Sequence, residues 1–185
     1  LTWHNKDFID SSLQISRGFF TNESLLLGKP KPRELDVYAL LSGISFPLEF
    51  SDKLCNIQQS IDAIIGDCLH YWVLPLNFGM EYCVFKWPED CWDESWLPVI
   101  EKELKSLYIP SFYLNIHGIQ INSDGCVVAK GYDSTGMIFK IREQLKTKLA
   151  FLPSKQSNWC HIPMGRIMNP IGFSKFIKLK GLINK

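Results

Sequence analysis

The chain has 185 residues, 46% of them hydrophobic and 21% charged, with a formal net charge of +1. That length suits one domain or two small lobes sharing a core, and the near-zero charge excludes a global field drawing the chain to nucleic acid or an anionic membrane. No apolar run approaches eighteen residues, so no membrane-spanning helix and no membrane partner are expected. The six cysteines (Cys55, Cys68, Cys83, Cys91, Cys126 and Cys160) form no CxxC pair and no zinc spacing. Most lie in apolar runs and read as small buried hydrophobes in a reducing compartment. The chain opens at Leu1 without a signal-peptide pattern, and the expectation is a cytoplasmic protein.

Residues 1–34 read as a loose N-terminal arm with room for one short helix; His4 lies in it without a role. Gly28-Lys29-Pro30-Lys31-Pro32 stops it, because the prolines block regular pairing. Leu35 to Phe46 alternates as a strand until Pro47. Leu54, Ile57, Ile61, Ile64, Ile65 and Cys68 then recur at helical spacing, with Ser51-Asp52 as the N-cap and a stop at Gly66 to Cys68. Two extended runs follow, Tyr71 to Leu74 and Met80 to Trp87, and Pro88-Glu89-Asp90 closes the second. A helix from about Ser95 takes Pro98 in its first turn and presents Leu97, Ile100, Leu104 and Leu107.

The strand Phe112 to Asn122 is expected to bury Phe112, Leu114 and Ile116, with Tyr113, Asn115 and His117 opposite and a bulge or close approach at Gly118. Ser123-Asp124-Gly125 turns it into a return strand, Cys126 to Lys130. A helix from about Thr135 has Ile138, Ile141, Leu145 and Leu149 as its stripe, and Pro153 to Asn158 is a loop. In Trp159-Cys160-His161-Ile162-Pro163-Met164-Gly165-Arg166-Ile167, the residues Cys160, Ile162 and Met164 take the core. His161 therefore shares the other face with Trp159 and Pro163, and Gly165 should end the strand where Arg166 turns away. From Phe173, apolar residues alternate with lysines in a basic tail, read as a solvated last element.

The order is strand, helix, strand pair, helix, hairpin, helix, strand. That content is α+β, or two-lobed α/β, with two similar halves around one cleft. A histidine and an arginine at one strand end combine a group titrating near neutral pH with a permanent anion donor, the makings of a phosphate site. The same pair also suits a satisfied core histidine and a surface charge.

Three pieces resemble the 2H phosphoesterase superfamily, the 2′-5′ RNA ligase-like and cyclic phosphodiesterase proteins. They are FYLNIHGIQINSDGCVVAKGY, similar to the family's strand-turn-strand; IFKIREQLKTKL, similar to its helix with Arg142 in the usual place; and WCHIPMGRI, at its second His-x-Thr/Ser motif. The likeness covers residues 35–170 and is stronger in the second half. It implies a two-lobed, pseudo-symmetric fold, with antiparallel sheets around a central cleft and helices outside. That domain would sit between the arm, 1–34, and a basic tail, 171–185. It also implies two facing histidines, each with a hydroxyl residue two positions later, serving as base and acid on a phosphodiester without metal or cofactor.

The sequence departs from this pattern in both halves. Pro163 stands where the hydroxyl belongs, and the first-motif strand, Met80 to Phe85, has no histidine; the nearest is His70. The candidate catalytic groups are His161 with His117 or Glu81. The candidate phosphate or ligand contacts are Arg166, Asn115, Tyr82 and Trp159. Each positioned proton-transfer group is worth roughly 10²–10⁴-fold in rate. The expectation is therefore a degenerate site that binds a nucleotide or RNA-end phosphate with weak or no turnover. The alternatives are an active cyclic phosphodiesterase or 2′-5′ hydrolase, and a scaffold with an idle cleft.

Overall fold

A computed structural model describes residues 10–42, 45–157 and 159–184. His4, and Gly43 and Ile44 of the expected first strand, lie outside them. In chain order the elements are α1 (Asp10–Arg17), α2 (Asn22–Leu26), β1 (Tyr38–Leu41), α3 (Leu48–Ile65), β2 (His70–Trp72), β3 (Glu81–Lys86), α4 (Trp96–Ser106), β4 (Asn115–Ile121), β5 (Cys126–Tyr132), α5 (Met137–Lys148), β6 (Cys160–Ile167) and α6 (Phe173–Ile183). The fold is α+β. Its strands form two antiparallel sheets, a pair β1-β3 and a four-stranded sheet ordered β2-β6-β5-β4.

The larger core lies where α3 and α6 cover the four-stranded sheet. Leu54, Ile61 and Ile65 of α3 meet Ile162, Met164 and Ile167 of β6 there, all at most 2% exposed. Gln58 is buried on the same helical stripe, and its amide donates to the Val73 carbonyl at 2.9 Å and the Met164 carbonyl at 2.8 Å. A second cluster joins β3 to α4 and α5 through Cys83, Phe85, Ile100, Ile141, Leu145 and Leu149.

Helix α3 begins a turn before the expected Ser51-Asp52 cap. Pro47 occupies the cap position in an extended conformation and its carbonyl accepts the Ser51 N–H at 3.0 Å, so Ser51 lies inside the helix. On α4, Leu97 is 41% exposed instead of facing inward. Trp96 takes that place, stacked on Phe151 at 4.3 Å between ring centroids. The Ile138, Ile141, Leu145 and Leu149 stripe of α5 is buried as the spacing implies. Strand β4 starts at Asn115, later than expected, while the bulge at Gly118 is present, with its φ at +89°.

Strand β6 does not end at Gly165; it runs to Ile167. Opposite β5, Val127 pairs with Gly165 and Val128 with Pro163, so Met164 is an extra residue. That bulge lets proline, which lacks an N–H, stand in a strand with neighbours on both sides. Gly165 is required by close approach, since a Cβ there would lie 2.4 Å from the Trp72 ring and 2.5 Å from the Tyr71 carbonyl. The expected loose arm and solvated tail both enter the larger core. Leu13 of α1 and Leu179 of α6 are fully buried in it, and Phe176 is 4% exposed. Among the described residues, no helix is long and apolar enough to cross a membrane.

Candidate functional site

His161 projects from the face of β6 opposite Cys160 and Ile162, paired across the ladder with Lys130. Its ring stacks on Trp159 with centroids 4.8 Å apart and 27° between planes, and Lys130 Nζ lies 5.6 Å from the Trp159 ring centre. The imidazole is half-buried. Burial first, and the nearby Arg142 cation second, hold its pKa below the ordinary value of 6.5. At neutral pH the ring is therefore uncharged.

Arg142 organises the surroundings. It extends the α5 stripe and is 5% exposed. Its Nε donates to the Tyr82 carbonyl at 2.6 Å, and its Nη2 lies 3.3 Å from the carbonyls of both Glu81 and Trp159. One side chain thus fastens β3, from one sheet, to the entrance of β6, from the other. The sequence offered one signal for it, an arginine between Ile141 and Leu145 on an otherwise apolar stripe, but not its partners.

Glu81 is half-buried beside this junction. Burial pushes its carboxyl above 4.5, and Arg142 offsets part of the rise. Burial likewise raises the Tyr82 phenol, with the Cys160 thiol adding to it. Glu81, Tyr82, Trp159 and His161 therefore share one neighbourhood around Arg142. Arg142 acts on both the raised Glu81 carboxyl and the lowered His161 imidazole, and oppositely shifted groups are the kind from which acid–base assignments are made.

Tyr82 and Asn115 also border an open cavity of about 820 Å³ between β3, the start of α3 and the edge strand β4. Phe46, Phe50, Met80 and Phe112 supply much of its wall, and no charged side chain among the described residues borders it. His117 is exposed on β4, beside the Gly118 bulge and outside that cavity.

Arg166 lies at the other end of β6 from His161, roughly 16 Å away at ~3.3 Å per residue. Its guanidinium covers the Phe19 ring at 3.9 Å, donates to Ser16 Oγ at 3.0 Å and sits 3.6 Å from the Asp124 carboxylate. Arg142 links the backbones of Glu81, Tyr82 and Trp159, whose ring stacks on His161; Tyr82 and Asn115 line one cavity, Arg166 lies at the far end of β6, and His117 stands on β4, two strands from β6.

A second histidine contact escaped sequence reasoning. His70 Nε2 meets Asp62 Oδ1 at 2.8 Å, and its Nδ1 is 2.7 Å from the Cys68 carbonyl, joining β2 to α3. Trp72 Nε1 donates to the same carboxylate oxygen at 3.2 Å. Nothing in spacing alone pairs residues eight apart across a helix end and a strand. Among the described residues, no three His, Cys, Asp or Glu side chains converge as metal ligands would. No protein-family model matches the chain, and no curated protein matches it.

Proposed function

We propose that the protein is a degenerate 2H phosphoesterase-like binder, holding a nucleotide or RNA-end phosphate between its two sheets with weak or no turnover. The observation that carries the reading is the Arg142 junction. It ties the Glu81 and Tyr82 carbonyls of β3 to the Trp159 carbonyl at the entrance of β6, two residues before His161. In the resemblance these are the two motif strands, and only one of them has a histidine.

A phosphodiester transfer needs one group to take a proton from the attacking oxygen and another to give one to the leaving oxygen. It also needs donors for the charge that builds on the phosphate. Pro163 removes both a hydroxyl and an N–H from the strand that kept its histidine. The aromatic wall of the 820 Å³ cavity, Phe46, Phe50, Tyr82 and Phe112, suits stacking of a base, with the Asn115 amide at its rim.

Calorimetric titration and steady-state assays with 2′,3′-cyclic nucleotides and nucleoside monophosphates test this. Binding is expected in the wild type, weakened by His161→Ala, with turnover well under the ordinary enzyme range of about 1 s⁻¹ and above. Turnover inside that range that collapses in both His161→Ala and Glu81→Gln would instead establish the hydrolase reading, which the oppositely tuned pair favours. Absence of any binding would leave the scaffold reading.

A further inference from the structure

We infer that the face of the four-stranded sheet turned away from the larger core is a docking surface for a single-stranded polynucleotide. It meets the cleft at Trp159 and His161 but does not depend on the cleft reading. The ladder decides which side chains stand on it. Ile116, Gly131 and Cys160 lie opposite one another across β4, β5 and β6. That row faces the core, since Cys160 is buried and a Cβ on Gly131 would lie 3.0 Å from Leu114 Cδ1 and 3.3 Å from the Cys160 Cβ. The neighbours of these residues in the strands therefore point the other way. They are Asn115, paired with Tyr132, and Lys130, paired with His161. Asn115, Lys130 and Tyr132 are exposed, so this end of the face is open among the described residues.

The face offers flat rings beside a cation. Tyr132 is 65% exposed, and Tyr113, just ahead of β4, is 86% exposed because Leu114 turns in beside Gly131 in its stead. Trp159 leads into β6 with its ring stacked on His161. Aromatic rings displayed on a rigid sheet are platforms on which roughly two or three unpaired bases stack. Lys130 Nζ lies 5.6 Å from the Trp159 ring centre, and the ammonium has no hydrogen-bond or ion-pair partner among the described residues. It is free to meet a phosphate.

The charge pattern names the partner. Strands β4, β5 and β6 contain no Asp or Glu. Asp133, which follows Tyr132, is buried, and its carboxylate accepts from the N–H groups of Thr135 and Ile138. A polyanion crossing these strands therefore meets Lys130, His161 and the exposed His117 at the bulge opposite Lys130, and none of the strands' residues repels it. In a duplex the bases are stacked on one another and have no ring faces to give, so the partner is a single strand. The chain's net charge of +1 adds no long-range pull, which leaves binding to this local set.

Fluorescence anisotropy with a labelled RNA of about ten nucleotides, the DNA of the same sequence and the matching duplex tests this over a range of salt. Both single strands are expected to bind, the tighter one naming the source, and the duplex to bind at least about tenfold more weakly. Tyr113→Ala and Tyr132→Ala should each weaken the single strand about tenfold, whereas Tyr132→Phe, which keeps the ring, should bind as the wild type does. Lys130→Ala should lower the slope of log affinity against log salt by roughly 0.7. Lys178→Ala, on the exposed side of α6 across the core from this face, should leave that slope unchanged. The Tyr113, Lys130 and Tyr132 variants should still bind 2′,3′-cyclic nucleotides like the wild type, so this surface and the cleft stand or fall separately. No binding of either single strand, duplex binding as tight as single-strand binding, or binding indifferent to both Tyr132→Ala and Lys130→Ala would overturn the inference.

Discussion

His161 stands where burial and a neighbouring cation act in one direction, and this sets a pH dependence of stability. Its folded pKa lies below 6.5. Above 6.5 the ring is neutral in both folded and unfolded chains, so its contribution is fully present. As pH falls below 6.5 the unfolded chain takes up the proton first, and stability is lost until the depressed folded value is passed. Glu81 works the other way. Its folded carboxyl titrates above 4.5, so its contribution is present below 4.5 and is lost as pH rises through the folded value. Urea midpoints of the wild type and of His161→Gln across this window separate the two. The variant should lose the part of the slope that makes the wild type weaker in acid; an unchanged slope would mean that His161 is not desolvated. The face of His161 was legible, because Cys160, Ile162 and Met164 alternate with it. The role of Arg142 was not, since its three carbonyl partners are set by tertiary packing rather than by spacing.

The hairpin of β4 and β5 shows what local chemistry can and cannot announce. Its turn was readable from Ser123-Asp124-Gly125, and Gly125 adopts φ +86° there. The turn is also a packing point, which no turn signal reveals. A Cβ on Gly125 would lie 2.0 Å from the Ile167 carbonyl, and the Gly125 carbonyl itself accepts the Ile167 N–H at 2.9 Å. Gly125→Ala should therefore destabilise the fold by about 4 kcal/mol or more. Gly172→Ala, with open space around the new methyl, should change it far less. Comparable denaturation midpoints for the two would refute this account. The same divide holds elsewhere. The apolar stripe of α5 is local and was readable. The Met164 bulge that accommodates Pro163 depends on β5 and Trp72, and the earlier start of α3 depends on a proline serving as a cap.

Across the whole molecule, the segments that looked peripheral are structural. Arg17 Nε donates to the Met168 carbonyl at 2.8 Å, Ser16 Oγ donates to the Asp124 carbonyl, and Arg166 lies flat on Phe19. In sequence Ser16 and Arg17 are a polar and a charged residue in an unpatterned stretch, so the arm read as loose. Arg166→Ala should cost about 2 kcal/mol through the lost stacking and hydrogen bonding. It should also open residues 10–35 to limited proteolysis; protease resistance equal to the wild type would show that the clamp is idle. The Arg17–Met168 contact spans 151 positions of the chain. At ribosomal rates of about 5–20 residues per second, roughly 8 to 30 s separate the synthesis of its two halves. Through that interval Leu13 and the apolar side of α1 have no strand to cover them, so the nascent chain carries an adhesive, uncovered segment. A chaperone that shields it would act on this protein during translation rather than after release.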